Sequence, residues 1–145
     1  NATEGNVIHY GFIEQFIHDL GEKYHILEIA FDRWGATQMT QDLEGMGFTV
    51  VPFGQGYASM SPPTKEFYKL LMEGRIQHGG NPVMRWMAGN VVVDTDSAGN
   101  IKCTKARSSE KIDGIVAAIM ALDRAVRHES VQQGSVYDDR GLLVF

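Results

Sequence analysis

The stretch HILEIAFD, residues 25–32, decides the fold class of this 145-residue chain. Its apolar residues follow one another with little alternation, which is typical of a strand covered on both faces, and it ends at Asp32. Before it, residues 7–24 repeat apolar side chains at helical spacing, and Gly21 is a plausible helix stop. The sequence therefore predicts a helix followed by a buried strand.

The same order repeats immediately along the chain. Residues 37–47 (TQMTQDLEGMG) have the pattern of a short amphipathic helix closed by Gly45 or Gly47. Residues 48–54 (FTVVPFG) predict a second buried strand, broken by Pro52. Alternating helices and strands favour parallel pairing with right-handed crossovers, so the expected fold class is α/β.

Two further helices are predicted in the middle of the chain. In residues 59–74, Pro62 or Pro63 suits a first helical turn. In residues 81–89, Asn81 is the expected N-cap, with a proline at the first helical position.

The last third predicts a β-hairpin and the longest helix. Residues 90–105 read as two short strands that turn at residues 96–100. Residues 108–129 read as a helix capped by Ser108 or Ser109. The tail from Gln132 onward is expected to pack on the body or on a neighbouring chain, because its apolar end is unsuited to water.

Length and composition bound the function classes. At 145 residues the chain fits a single domain, residues 1–145, and no apolar run is long enough to span a membrane. With no secretory leader and one cysteine, Cys103, it suits a reducing cytoplasm. A net charge of −5 argues against a protein that coats nucleic acid by bulk attraction, although it does not exclude a nuclease.

Several familiar sites are excluded by their missing motifs. The five histidines and the cysteine have no zinc-ligand spacing. There is no GxxxxGK[ST] phosphate loop, and neither Ser108 nor Ser109 lies in a GxSxG context. A zinc site, an ATP site and an acyl-transfer triad are therefore not supported.

Asp113 stands out on the last helix. At about 100° per residue it falls at the edge of an apolar stripe, at the border between core and cleft. The alternative is that the acid only interacts favourably with the helix N-terminus. Asp123 lies within the stripe by angle, and a structural ion pair with Arg127 is the favoured interpretation. The stripe consists of Ile112, Ile115, Val116, Ile119, Leu122 and Val126.

Asp32 has a stronger case than Asp113. It follows the first strand at its expected C-terminal end, the edge of an α/β sheet where ligand sites form. The alternative is an aspartate that caps the helix near residue 36. A modest basic run, Lys102, Lys105, Arg107 and Lys111, would suit contact with the DNA backbone or would simply be solvated.

Four stretches in order resemble the C-terminal nuclease domain of tailed-phage terminase large subunits. They are EIAFDRWGA (28–36), SMSPPTKEF (59–67), HGGNPVMRWMAGNVVV (78–93) and EKIDGIVAAIMALDRA (110–125). The similarity runs from about Val7 to Arg124. Each motif alone is weak, but their combination is specific.

The resemblance implies an RNase H-like α/β fold, a mixed sheet flanked by helices, and an endonuclease that cuts concatemeric viral DNA during packaging. It implies that Asp32 and Asp113 are catalytic metal ligands, with Gly114 leaving space beside the second acid. In such a site two Mg²⁺ or Mn²⁺ ions, roughly 3.5–4 Å apart, activate water and stabilise the leaving oxygen. Carboxylate oxygens suit those ions.

The resemblance also implies what this chain lacks. The family's first acid lies on an initial strand before Val7, so the fold is expected to be truncated at its N-terminus and this chain alone to cut weakly or not at all. The alternative is a non-catalytic packaging module, or a prophage remnant, that docks on the portal or on DNA.

The implied partners follow from the same family. They are double-stranded DNA, contacted by Lys105, Arg107 and Lys111, and the portal protein and small terminase subunit of the parent complex, with no membrane. The expected location is the host bacterial cytoplasm. Because truncation would leave the edge of the first strand open, a homo-oligomer is expected for the isolated fragment.

Overall fold

The computed structural model describes residues 9–32 and 37–133. The chain divides into two compact units, Asn1–Phe53 and Gly54–Phe145. We describe each unit by itself, and the single domain predicted for residues 1–145 stays a prediction. Sequence predictions for residues 33–36 and for the tail after residue 133 lie outside the described residues. None of the described helices combines the length and apolar composition needed to cross a bilayer.

The first unit contains the predicted pair of parallel strands. Its elements are α1 (Tyr10–Lys23), β1 (Ile29–Asp32), α2 (Thr37–Gly45) and β2 (Val50–Phe53). β1 pairs with β2 in parallel, so the predicted α/β pairing is confirmed.

Pro52 lies inside β2, opposite Phe31 of β1, so the prediction that this proline breaks the strand is wrong. Proline is tolerated on a strand that is paired along one side, because its missing N–H can face away from the partner. In the described part of the chain, β2 pairs with β1 alone. The apolar pattern of the strand therefore continues through the proline.

Gly21 does not end α1, which continues to Lys23. A Cβ built on Gly21 would lie 2.7 Å from Cζ of Phe48, so the glycine allows the aromatic ring to pack directly against the helix. The helix ends instead where Tyr24 adopts an extended backbone, with φ −130°. Packing, rather than helix termination, explains this glycine.

The second unit contains the remaining elements. They are α3 (Tyr57–Met72), α4 (Pro82–Asn90), β3 (Val93–Thr95), β4 (Ile101–Cys103) and α5 (Asp113–Gln133). β3 and β4 form the predicted antiparallel hairpin. Its core joins α3 to α5, and includes Met60, Ile112, Ile115, Val116, Ile119 and Met120. The predicted stripe leaves the core at its far end, where Val126 is 46% exposed.

α3 begins five residues before Pro62, so the prediction that a proline marks its first turn is wrong. The prolines fall inside the helix, where each removes a backbone hydrogen bond. The segment is held by tertiary packing, since Ser61, Pro63 and Thr64 are buried. The Ser61 hydroxyl also accepts a hydrogen bond from the backbone N–H of Ile101, at 3.1 Å, which ties α3 to β4.

α4 begins at the predicted residue, and the hairpin turns at the predicted position. The Asn81 side chain accepts hydrogen bonds from the N–H groups of Val83 and Met84, both at 3.0 Å, and Pro82 occupies the first helical position. In the turn, Oδ1 of Asp96 accepts from the backbone N–H of Asn100 at 2.8 Å. Local polar residues therefore determine both features.

Candidate functional site

Asp113 is the first residue of α5. The residue before it, Ile112, is completely buried, and its carbonyl accepts hydrogen bonds from the N–H groups of Ile115 and Val116 at 3.0 and 3.1 Å. Beside this anchor the Asp113 side chain is 56% exposed. The backbone of the acid is thus fixed by the core, while its carboxylate faces water, in agreement with the predicted position at the border of the stripe.

The serines predicted to cap α5 do something else. The Ser108 hydroxyl donates to the carbonyl of Thr104 at 2.7 Å and accepts from the N–H of Val92 at 3.4 Å. The Ser109 hydroxyl lies 3.4 Å from Oδ1 of Asn90. The cap prediction is wrong because these hydroxyls fasten the loop at residues 104–112 to the hairpin and to α4.

Lys105, on this loop, contacts the carboxylate of Asp113. Its Nζ lies 2.5 Å from Oδ1 of the acid, and its side chain is 55% exposed. The hydrogen bond from Lys105, with the nearby charge of Lys111, lowers the pKa of Asp113, against a smaller opposing effect of burial. Asp113 is therefore ionised at neutral pH.

A polar cleft of about 370 Å³ surrounds this ion pair. Glu110 and Lys111 also border it, so acidic and basic groups alternate along the loop. In this polar, open cleft the ionised carboxylate can bind a cation, and the lysines can bind an anion such as a phosphate. The cleft is lined by Lys105, Ser108, Ser109, Glu110, Lys111, Ile112 and Asp113.

Arg107, the third predicted DNA contact, points to the hairpin. Its Nη1 lies 2.5 Å from Oδ1 of Asp94, and the arginine side chain is 66% exposed. Two of the three predicted DNA contacts, Lys105 and Arg107, thus have carboxylate partners within the second unit. Lys111 is exposed at the rim of the cleft.

Asp32 is the last residue of β1, opposite Phe53 at the end of β2. It is exposed at the carboxyl end of a parallel strand, as the sequence predicts. Whether it caps a helix near residue 36 depends on residues 33–36, outside the described range. Asp32 belongs to the first unit and Asp113 to the second, so their convergence on one cation stays a prediction.

Gly114, expected to leave space for a metal, makes room for α4 instead. Its N–H donates to the Met87 sulfur at 3.2 Å. A Cβ on Gly114 would lie 2.8 Å from that sulfur and 3.1 Å from the sulfur of Met84. The close packing of two helices, rather than space for an ion, explains the glycine that follows the acid.

The predicted structural pair Asp123–Arg127 is confirmed. Asp123 is buried, and Nε and Nη2 of Arg127 lie 2.6 and 3.2 Å from its two carboxylate oxygens. This hydrogen bonding raises the pKa of the Arg127 guanidinium. Asp123 therefore has a structural role and no place in the candidate site.

A second, apolar cleft of about 430 Å³ lies within the second unit and contains none of the predicted site residues. Phe67, Ile101, Ile119 and Cys103 contribute to its lining. Burial raises the pKa of the Cys103 thiol, which therefore stays protonated and is a poor nucleophile at neutral pH. This cleft offers no reactive group.

Within residues 9–32 and 37–133, no three His, Cys, Asp or Glu side chains lie close enough together to hold a metal ion. The Lys105–Asp113 contact and the position of Glu110 were not predicted from the sequence. Lys105 and Asp113 are joined by a loop without a regular repeat, so no periodicity could have paired them. The geometry described for the candidate site is therefore that of Asp113 and its loop within the second unit.

The chain has clear relatives among known proteins. It is 35% identical to the terminase large subunit of Enterobacteria phage HK97 over 140 residues, which is 95% of this chain and 28% of that protein. It is 36% identical to the protein YmfN of Escherichia coli strain K12 over 130 residues, which is 88% of this chain and 29% of that protein. The chain thus spans less than a third of the length of these relatives.

The fold has a solved counterpart. The crystal structure of the HK97 bacteriophage large terminase matches with a TM-score of 0.74 and 35% sequence identity, over 83% of this chain and 26% of that one. This match confirms the predicted RNase H-like α/β fold class. Residues 1–129 also match the family described as terminase large subunit, endonuclease domain. The chain therefore belongs to the endonuclease-domain family of terminase large subunits.

Proposed function

We propose that this chain is the nuclease portion of a DNA-packaging terminase large subunit, and that the parent protein cleaves concatemeric double-stranded DNA in the host cytoplasm. Membership of the endonuclease-domain family over residues 1–129 is the observation that supports this proposal most strongly. The chain covers 28% of its HK97 relative, so the activity and partners of the whole protein go beyond this chain. Contacts of the parent protein with the portal and the small terminase subunit are therefore part of the same proposal.

Asp32 and Asp113 are the proposed metal ligands of this nuclease. Oxygen donors of this kind fit Mg²⁺ or Mn²⁺, and Asp113 is already ionised and open to solvent. The bound ions would activate water and neutralise charge on the scissile phosphate. These two carboxylates supply part of the ligands that the ions need, so the isolated chain is expected to bind the ions weakly and to cut little DNA.

The chain's own contribution is to orient ligands and attract the DNA backbone. The buried Ile112 and the first turn of α5 fix the position of Asp113. Lys105, Arg107 and Lys111 lie on the neighbouring loop, and all three are exposed. Lys105 and Arg107 would exchange a carboxylate partner for a phosphate, so their net contribution to DNA affinity is expected to be smaller than that of Lys111.

Titration with Mn²⁺, followed by calorimetry, tests the metal ligands. Asp113→Asn and Asp32→Asn are each expected to weaken Mn²⁺ binding at least tenfold, because each removes one charged oxygen ligand. Glu73→Gln in the second unit and Glu22→Gln in α1 remove exposed acids outside the cleft and should leave binding unchanged. Far-ultraviolet circular dichroism checks that every variant keeps its fold.

The outcomes separate the candidate functions. Loss of Mn²⁺ binding in both aspartate variants supports a shared metal site. Unchanged binding in both would favour the non-catalytic packaging module. Efficient Mn²⁺-dependent nicking of plasmid DNA by the pure 145-residue chain would contradict the expected weak activity.

A further inference from the structure

The contact between Lys105 and Asp113 lies entirely within the second unit. Its two partners differ in side-chain length and in how the neighbouring backbone is held. Asp113 follows the completely buried Ile112, whereas Lys105 stands on the loop between β4 and α5 with its side chain 55% exposed. The ammonium group can therefore move away while the carboxylate stays in place.

The loop is held on either side of Lys105. Thr104 is buried, and its N–H donates to the carbonyl of Val92 at 2.9 Å. Three residues after Lys105, the Ser108 hydroxyl donates to the Thr104 carbonyl at 2.7 Å. These hydrogen bonds hold the backbone on both sides of Lys105, so the side chain starts from a fixed position near Asp113.

A divalent ion and this ammonium compete for the same carboxylate oxygen. The ammonium already lies in hydrogen-bond contact with Oδ1. Mg²⁺ binds oxygen at about 2.0–2.1 Å, and two adjacent cations repel each other. Binding of the metal through this oxygen therefore weakens the contact with the lysine and favours its departure.

We propose that Lys105 is a built-in competitor of the divalent metal ion: its ammonium group occupies the Asp113 carboxylate in the metal-free protein and is displaced when the ion binds. Lys105 is thus a positioning residue that sets the affinity of the site for the ion and keeps the Asp113 carboxylate oriented in the metal-free protein. This inference rests on the proposed role of Asp113 as a ligand.

The size of the effect follows from exposure. An ion pair between two half-exposed groups is weak and is screened by salt. We expect Lys105→Met to bind Mg²⁺ about two- to fivefold more tightly than the wild-type chain, with a larger difference at low ionic strength. Lys105→Arg keeps a charged donor and should remain close to wild type.

Calorimetric titration of the 145-residue chain with Mg²⁺ tests the proposal. Lys111→Met is the matched control, since this lysine lines the same cleft and acts on Asp113 by charge without the direct contact. Tighter binding in Lys105→Met than in Lys111→Met supports the proposal. If Lys105→Met binds Mg²⁺ no more tightly than Lys111→Met does, the proposal is overturned.

A second readout needs no variant. In the wild-type chain, the NMR signal of the Lys105 side-chain Cε is expected to shift during the Mg²⁺ titration and to saturate with the Asp113 carboxyl signal. A Lys105 signal that stays constant while the Asp113 signal saturates would overturn displacement.

Asp113→Asn separates the proposed competition by Lys105 from the proposed role of Asp113 as a metal ligand. If Asp113→Asn weakens Mg²⁺ binding but Lys105→Met does not tighten it, only the competition is wrong. If Asp113→Asn leaves Mg²⁺ affinity unchanged, or if neither the wild-type chain nor Lys105→Met binds the ion, Asp113 is not a ligand and both proposals fail. In the Lys105→Met/Asp113→Asn double variant, the gain from losing the lysine is expected to disappear.

Discussion

The ring of Phe48 packs against α1 at Gly21, where a single additional carbon would lie 2.7 and 2.9 Å from two ring atoms. Real side chains do not approach so closely, so the ring or the helix would have to shift. The glycine thus defines how the helix meets the segment that leads into β2. It is a packing residue in the last turn of α1, inside a helix, where glycine is otherwise disfavoured.

Gly21→Ala is expected to destabilise the chain, by about 1–3 kcal/mol in the free energy of unfolding, because the methyl group overpacks the contact with Phe48. Gly11→Ala is the matched control in the same helix, where a Cβ meets nothing within 4 Å. That control should be neutral or stabilising by up to about 1 kcal/mol. Urea unfolding measures both, and equal values for the two variants would contradict the packing role.

Arg127→Met is expected to cost about 1–3 kcal/mol, because it removes two hydrogen bonds from the buried carboxylate of Asp123. The double variant Asp123→Leu/Arg127→Met should cost less than the sum of its single changes, since no carboxylate is then left buried. Thermal or urea unfolding of the four proteins gives the coupling energy. A coupling energy near zero would show that the pair is energetically unimportant.

Lys105→Met is expected to raise the pKa of Asp113 toward that of a free aspartate. In the folded wild-type chain the pKa is lowered, so the pair contributes stability above the ordinary aspartate pKa and loses it as pH falls through the folded-state pKa. In the variant, this acid-dependent part of the stability should shrink. NMR titration of the Asp113 carboxyl carbon is the direct measurement, and an unchanged pKa would contradict the role of the lysine contact.

The outward side of β1, which no strand among the described residues covers, predicts self-association of the isolated chain. The N–H of Ile29 donates to the carbonyl of Thr49 at 2.8 Å, so in a parallel pair the next residue, Ala30, directs its N–H to the opposite side. In the described part of the chain, β1 pairs with β2 alone, and Phe12 and Phe16 of α1 are 60% and 50% exposed. A strand edge left uncovered by the described residues and an exposed apolar face both favour contact with another copy.

Light scattering after size-exclusion chromatography measures this association. Ala30→Pro removes the outward donor without removing a β1–β2 hydrogen bond, and should shift the chain toward monomer. Ala30→Val keeps the donor and should assemble like the wild type. A monomeric wild-type chain across micromolar concentrations would contradict the prediction.

Much of the first unit could be predicted because its strands carry nearly continuous apolar residues. That pattern located the two strands and placed Asp32 at the end of β1, and the alternation of helices and strands predicted their parallel pairing. The errors arose where one residue type serves two purposes. Gly21 had the appearance of a helix stop but permits packing, and Pro52 had that of a strand breaker but lies on a strand paired along one side in the described residues.

The same ambiguity affected the second unit. Ser108 and Ser109 precede a helical pattern as caps do, yet their hydroxyls bind the hairpin and α4 across long sequence separations. The exposed carboxylate at the start of α5 followed from angular spacing alone. Its partner Lys105 did not, because a loop can bring many residues to the same point and the sequence has no period to select one.

Because Ile112 is completely buried, the start of α5 is a fixed position beside which the preceding loop can be redesigned. Residues 105–107, 110 and 111 can be rewritten as a library of charges, with Ser108 and Ser109 kept because they fasten the loop, while the carboxylate beside them keeps its place. Selection from such a library for binding of different cations would then report on loop chemistry alone, since the scaffold that carries the acid stays constant.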